Sequence, residues 1–199
     1  MRRVPPKHSP EPVPPPARPL ARFAEGYIFH TDRLSCRRWV PDDFEALVRV
    51  YGDADAMRWV GDGVAITPDQ CRRWLEVTEN NYRTREYGMF AVEDRSTNLV
   101  VGFCGLVHPG GQTDAEIKYA FERPYWGLGL ATEAAKSLLA YGAGEHGLPR
   151  VSATAAPDNH ASHRVLLKAG MSPAGTRDNS DGSQTRLFVW QPDKQENAA

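Results

Sequence analysis

Pro124-Tyr125-Trp126-Gly127-Leu128-Gly129-Leu130-Ala131-Thr132-Glu133-Ala134 is the stretch on which the reading of this chain turns. A strand pattern ends just before it, and a helix with an apolar face begins inside it. Two glycines at such a junction let the backbone turn sharply and leave successive amide N–H groups exposed. With the positive end of the following helix dipole, those amides make a site for phosphate oxygens. Taken alone, glycine-x-glycine ahead of a helix describes a plain strand-to-helix turn equally well. Two nucleotide-binding alternatives fail on the letters. A dinucleotide fingerprint needs a third glycine or alanine where Thr132 stands, and an acidic residue ending the next strand, which reads Val151-Ser152-Ala153-Thr154-Ala155. A Walker loop needs a G-x-x-x-x-G-K-[ST] spacing that the chain does not contain.

Outward from this junction the pattern is regular. Upstream, residues 87–93, 99–107 and 114–121 read as three strands of an antiparallel meander, the first two joined by the polar Asp94-Arg95-Ser96-Thr97-Asn98. Before them, residues 34–40 read as a strand. Pro41-Asp42-Asp43 then opens a helix carrying Phe44, Leu47, Val48 and Tyr51 on one side. After a turn around Gly61, Asp62 and Gly63, Thr67 reads as an N-cap with Pro68 at the first helical position, and that helix runs to about residue 84. Downstream, the spacing of Ala131, Ala134, Ala135, Leu138 and Leu139 predicts a helix over 129–142. A strand follows at 150–155, then a helix at 159–169 stopped by Gly170, and two closing strands at 171–177 and 184–190.

The bulk numbers narrow the class. The chain has 199 residues, which suits one domain, and its 24 Lys and Arg against 25 Asp and Glu give a net charge of −1. No global field attracts nucleic acid or an anionic membrane, so neither is an expected partner. No apolar run approaches the roughly 20 residues that span a bilayer. Cys36, Cys71 and Cys104 are scattered without C-x-x-C pairing, which fits small buried thiols in the reducing cytoplasm better than disulfides or a metal site. Residues 1–22 alternate prolines with basic and small residues and read as a disordered arm. The domain is expected over 23–192, with a frayed tail at 193–199.

The glycine segment resembles a known family. Trp126-Gly127-Leu128-Gly129-Leu130-Ala131 is similar to the acetyl-coenzyme A pyrophosphate loop of GNAT N-acetyltransferases, whose pattern is Q/R-x-x-G-x-G/A. Tyr-Trp-Gly-x-Gly-x-Ala-Thr-Glu-Ala resembles the branch that includes the ribosomal-protein alanine N-acetyltransferases (Rim type). Trp126 departs from the Gln/Arg position, which removes a side chain and leaves the backbone cradle. Asn159-His160-Ala161-Ser162-His163-Arg164-Val165-Leu166-Leu167-Lys168-Ala169-Gly170-Met171 resembles the family's N-x-x-S-x-x-x-L-x-K-x-G-[FM] signature. Asp32-Arg33-Leu34 with Arg37 and Pro41-Asp42-Asp43 resembles the branch's opening strand and helix, so the likeness extends from about Thr31 to Trp190. The resemblance implies one α/β (α+β) domain with a mixed, mostly antiparallel sheet of about seven strands flanked by helices. Two central parallel strands would splay apart in it, placing a cleft between 114–121 and 150–155.

It also implies roles. Trp126, Gly127, Leu128, Gly129, Leu130 and Ala131 would cradle the pyrophosphate of acetyl-coenzyme A, with Thr132 adding a hydroxyl. Asn159 resembles the asparagine that contacts coenzyme A, and it could equally cap the helix. Glu116 is the candidate to accept or orient the acceptor's proton, against an ion pair with Lys118. Ser162, on the helix face of Val165, Leu166 and Ala169, is the candidate proton donor to the leaving thiolate, against a role in the helix cap. Many relatives place a tyrosine four residues further on, where this chain has Leu166. His160 and His163 read as surface residues, and no metal is expected.

The expected reaction moves an acetyl group to a primary amine. A protein α-amine, with a pKa near 8, is appreciably neutral at cytosolic pH, whereas a lysine is neutral in about one molecule per thousand. One water-linked carboxylate therefore suits an α-amine, and the branch resemblance also points to a protein N-terminus. Small amines, amino acids and antibiotics remain alternative acceptors. A coenzyme A-binding sensor without turnover is the alternative from another class. A homodimer is left open.

Overall fold

The computed structural model describes residues 26–60 and 63–192. The expected arm at 1–22, the tail at 193–199 and the turn residues Gly61 and Asp62 lie outside the described residues. Eight strands form one sheet: β1 (Tyr27–His30), β2 (Leu34–Arg37), β3 (Met89–Asp94), β4 (Leu99–Val107), β5 (Ala115–Phe121), β6 (Val151–Ala155), β7 (Ser172–Asp178) and β8 (Gln184–Trp190). Their order across the sheet is β1-β2-β3-β4-β5-β6-β8-β7. Every neighbouring pair is antiparallel except β5 and β6, which run parallel.

Helices α1 (Phe44–Tyr51), α2 (Ala54–Met57) and α3 (Pro68–Arg85) supply one face, while α4 (Leu130–His146) and α5 (His160–Lys168) supply the other. The period-two alternation of the strands feeds both layers. Phe90 and Val92 of β3 pack with Ala134, Ala135, Leu138 and Leu139 of α4. Met89 and Ala91, one residue out of step, join Leu47, Val50 and Met57 on the opposite side. The α3 start is a capping box: Thr67 Oγ1 accepts from the Gln70 N–H at 3.3 Å, and Gln70 Oε1 accepts from the Thr67 N–H at 2.7 Å. All three cysteines are free and buried.

The structure refines the expectations in four places. Among the described residues the mixed, mostly antiparallel sheet has eight strands where about seven were expected, Tyr27–His30 adding an edge strand to β2. The four-residue α2 was not foreseen; Asp53 caps it by accepting from the Asp55 and Ala56 N–H groups. Helix α4 runs to His146 instead of ending at Gly142. A Cβ on Gly142 would stand 2.8 Å from Leu106 Cδ1, so the glycine marks close helix–sheet packing rather than a stop. The first full-length strand is also shorter than 34–40, since β2 ends at Arg37.

That end is fixed by charge. Arg37 donates to both carboxylate oxygens of Asp43, at 2.6 and 2.8 Å, and its Nε donates to Glu93 at 2.7 Å. Tyr27 Oη donates to the other Glu93 oxygen at 3.1 Å, and the Val40 N–H donates to Asp43 at 2.9 Å. The two buried carboxylates hold the Arg37 guanidinium charged against the opposing effect of its burial. Removing the cation would strand two buried anions. Arg37→Met is therefore expected to lower stability by about 3–5 kcal/mol, read as a lower urea midpoint at unchanged slope. A loss under about 1 kcal/mol would mean that the carboxylates regain water and that the network is ornamental.

Candidate active site

The parallel pair β5–β6 is in register only at Ala115–Val151 and Glu116–Ser152. Beyond these positions the strands part, and a cleft of about 1200 Å³ opens between them, where the expected splay was placed. Ile117 to Phe121 form one wall and Ala153 to Ala155 the other. The glycine loop and the start of α4 close one end, and α5 lines the side. Arg58 and Trp59, after α2, and the β7–β8 turn at Asn179, Asp181 and Ser183 form the rim.

The glycine loop is built by backbone conformation. Gly127 and Gly129 have φ of 76° and 80°, a left-handed region closed to most side chains, and α4 starts immediately after them. No side chain caps that helix. The first bond inside it runs from the Glu133 N–H to the Gly129 carbonyl at 3.1 Å, so the amides of Leu130, Ala131 and Thr132 precede the ladder. Gly127, Gly129, Leu130, Ala131 and Thr132 all line the cleft; Leu128 does not, and its side chain is exposed. Trp126 also lines it. The Trp126 indole donates to the Phe121 carbonyl at 2.7 Å, which ties the loop back to the end of β5.

Two hydroxyls meet in the middle of the cleft. Tyr119, from β5, and Ser162, from the first turn of α5, share a hydrogen bond of 2.8 Å, and both line the cavity. Burial pushes the Tyr119 phenol up to about 12, with the bond to Ser162 working against that rise. Sequence reasoning missed Tyr119, which fell within the strand read over 114–121. No tyrosine stands at Leu166; a phenol from β5 lies against Ser162, and only the chain crossing brings it there. Asn159 Oδ1 accepts from the Ser162 N–H at 3.1 Å, so this side chain caps α5 while also lining the cleft.

Glu116 lies differently from Ser162. Its residue is only 4% exposed, and Lys118, two residues on, stands in the cavity wall in its place. The carboxylate holds the Lys118 ammonium and also accepts the hydroxyl of Thr154 from β6. Lys118 Nζ donates to the same hydroxyl at 3.2 Å. Ser152 Oγ donates to the Ala115 carbonyl at 3.2 Å, so side chains bridge the strands where main-chain pairing ends. These groups occupy the sheet face opposite Tyr119 and Ser162.

The comparisons with known proteins agree with this geometry. Residues 33–172 match the family model described as Acetyltransferase (GNAT) domain. The uncharacterized protein YkkB of Bacillus subtilis (strain 168) is 34% identical over 144 residues, 71% of this chain and 83% of that protein. The uncharacterized N-acetyltransferase YoaA of the same strain is 29% identical over 150 residues, 74% of this chain and 84% of its own. Among solved structures, the GNAT-family acetyltransferase from Bacillus anthracis has a TM-score of 0.71 at 27% identity, covering 83% of this chain and 98% of that one. Mycobacterium smegmatis RimJ, in complex with CoA-disulfide, shares the fold at a TM-score of 0.69 and 20% identity, over 82% of this chain and 84% of its own. The matched segment takes in the splayed strands, the glycine loop and the first turn of α5, and the chain belongs to the GNAT acetyltransferase family and is an acyltransferase.

Proposed function

We propose that the chain transfers the acetyl group of acetyl-coenzyme A to a protein N-terminal α-amine in the cytoplasm. The observation that carries this reading is the Tyr119–Ser162 hydroxyl pair inside the splayed cleft, between the glycine loop and an open sheet face. The residues present fit the donor. Nothing stands within 4 Å of the place a Gly127 Cβ would take, and the first amides of α4 border the same space. The cavity exceeds the roughly 300–1000 Å³ of drug-sized sites, which suits a long arm ending in phosphates.

Acetyl-coenzyme A supplies a thioester: the amine forms the new C–N bond and releases one proton to solvent, the C–S bond breaks, and the sulfur leaves as a thiolate that must be stabilised and take up one proton. Glycine-loop amides, with Trp126 fixing the loop and Thr132 beside it, would hold the pyrophosphate. Asn159 holds the first turn of α5, and with it Ser162, in place. Tyr119 keeps its proton through the neutral range, so the pair always has an O–H to offer the departing sulfur. On the other face Lys118 stands in the cavity wall, where its charge would lie beside an acceptor entering from that side. A neighbouring cation disfavours an ammonium and favours the neutral amine that attacks. An α-amine with a pKa near 8 needs only that modest help. Glu116, behind Lys118, is then a positioning residue that fixes the ammonium. The carboxylates of Asp55 and Asp181, on the rim, would draw the protonated amine towards the opening.

Calorimetric titration with acetyl-coenzyme A is expected to give micromolar binding, lost in Gly129→Val, whose β-branched side chain cannot hold a φ near 80°. Thiol release should then follow addition of peptides with a free N-terminus and cease when that terminus is blocked. Release with blocked, lysine-containing peptides or with small amines alone would replace the acceptor in this reading.

Ser162→Ala and Tyr119→Phe are each expected to lower kcat about 10- to 100-fold, the range of one hydrogen bond to a charged group. The double variant should be little worse than the poorer single, as for groups acting together. With the phenol titrating near 12, the pair contributes no descending limb to the rate between pH 7 and 10. A limb in that range that vanishes in Tyr119→Phe would sink the assignment.

A further inference from the structure

Arg33 lies in the turn between β1 and β2, about a hundred residues before the glycine loop, yet its guanidinium reaches that loop. Nη1 donates to the Leu128 carbonyl at 2.8 Å. Nε and Nη2 both bind Glu133 Oε2, at 2.7 and 2.6 Å. The Arg33 N–H donates to Glu133 Oε1 at 3.0 Å, and Thr31 Oγ1 donates to the same oxygen at 2.5 Å. Glu133 sits in the first turn of α4. One side chain thus grips the carbonyl just before Gly129 and the helix just after it.

The orientation of the Leu128–Gly129 peptide decides what the loop offers a phosphate. The unit is planar and trans, so its N–H and C=O point in opposite directions. Turned one way, it shows the cleft a donor; turned the other, it shows an oxygen that repels an anion. Gly129, left-handed, carries one of the two torsions that turn this unit, and glycine resists such a rotation less than any other residue. The backbone therefore does not fix the plane by itself. We infer that Arg33 is a positioning residue for pyrophosphate binding: by drawing the Leu128 carbonyl away from the cleft, it turns the Gly129 N–H towards the phosphates.

Glu133 makes the grip rigid. Burial alone would raise its carboxyl, but the bonds from Thr31 and Arg33 outweigh this and hold it below its ordinary value, so it stays an anion. It also balances the Arg33 charge, so the cation acts by fixing a dipole more than by adding bulk attraction. As a surface ion pair the contact would be worth little. Its consequence lies in ligand selectivity rather than in stability.

The inference rests on the reading of the cleft as an acetyl-coenzyme A site, and the test separates the two. Acetyl-coenzyme A and S-acetylpantetheine carry the same thioester and arm, and only the first has the pyrophosphate. The full chain, Arg33→Ala and Arg33→Lys would be titrated with both, alongside thermal unfolding. Arg33→Ala is expected to weaken acetyl-coenzyme A about tenfold or more while leaving S-acetylpantetheine within about twofold, so that the wild-type preference for the pyrophosphate shrinks. Arg33→Lys, whose single ammonium cannot bridge Leu128 and Glu133 as a fork, should fall between. It also carries the test if the alanine variant unfolds. A wild-type preference that survives both variants, or an equal loss for both ligands, overturns the role of Arg33 and leaves the cofactor reading standing. A wild type that binds neither ligand overturns both.

Discussion

The rest of the molecule is arranged around one interruption: main-chain pairing between β5 and β6 stops after two positions. The cost is confined to one edge of each strand, because β5 keeps its ladder to β4 from Glu116 to Phe121 and β6 keeps its ladder to β8 from Val151 to Ala155. Two rigid half-sheets result, joined at one end and open at the other. Backbone groups along the diverging edges need partners. Ser152 bonds the Ala115 carbonyl where the pairing stops, and the groups further along border the cavity. A polar, extended ligand lying between the strands would complete the sheet.

Layering decides what each face of that opening meets. Helices α4 and α5 cover one face and bring the glycine loop, Ser162 and the cap at Asn159 to it. On the other face, α1 and α3 pack over β3 and β4, with α2 reaching β5, so the ends of β5 and β6 remain open there. Lys118, Glu116 and Thr154 stand on this open face, and Tyr119 stands on the covered one. The two faces thus carry different chemistry, hydroxyls on one side and a held cation on the other.

A chain with almost balanced charge concentrates its ions into local pairs. Arg37 with Glu93 and Asp43 locks the entry of α1 to β2 and β3. Arg33 with Glu133 joins the β1–β2 turn to the start of α4, and Arg123 holds Asp53 and Asp55 around α2. Apart from Arg37 with Asp43, six residues on, each of these pairs bridges elements far apart in sequence. None could be read from helical i,i+4 spacing.

The sequence by itself determined the strand-and-helix order and the Thr67 cap, because these follow from local periodicity, glycine placement and cap chemistry, while its resemblance to a known family implied the fold class and the site of the splay. It also singled out Gly127, Gly129, Asn159 and Ser162, whose signals lie within single short motifs. The extent of α4 past Gly142, the edge strand β1 and the short α2 were settled by tertiary packing, which overrides weak local preferences. Only the tertiary structure placed Tyr119 against Ser162, set Lys118 in front of Glu116, and carried Arg33 to the Leu128 carbonyl. The reason is physical: hydrogen bonds and ion pairs act over about 3 Å in space, and separation along the chain does not report which side chains come that close.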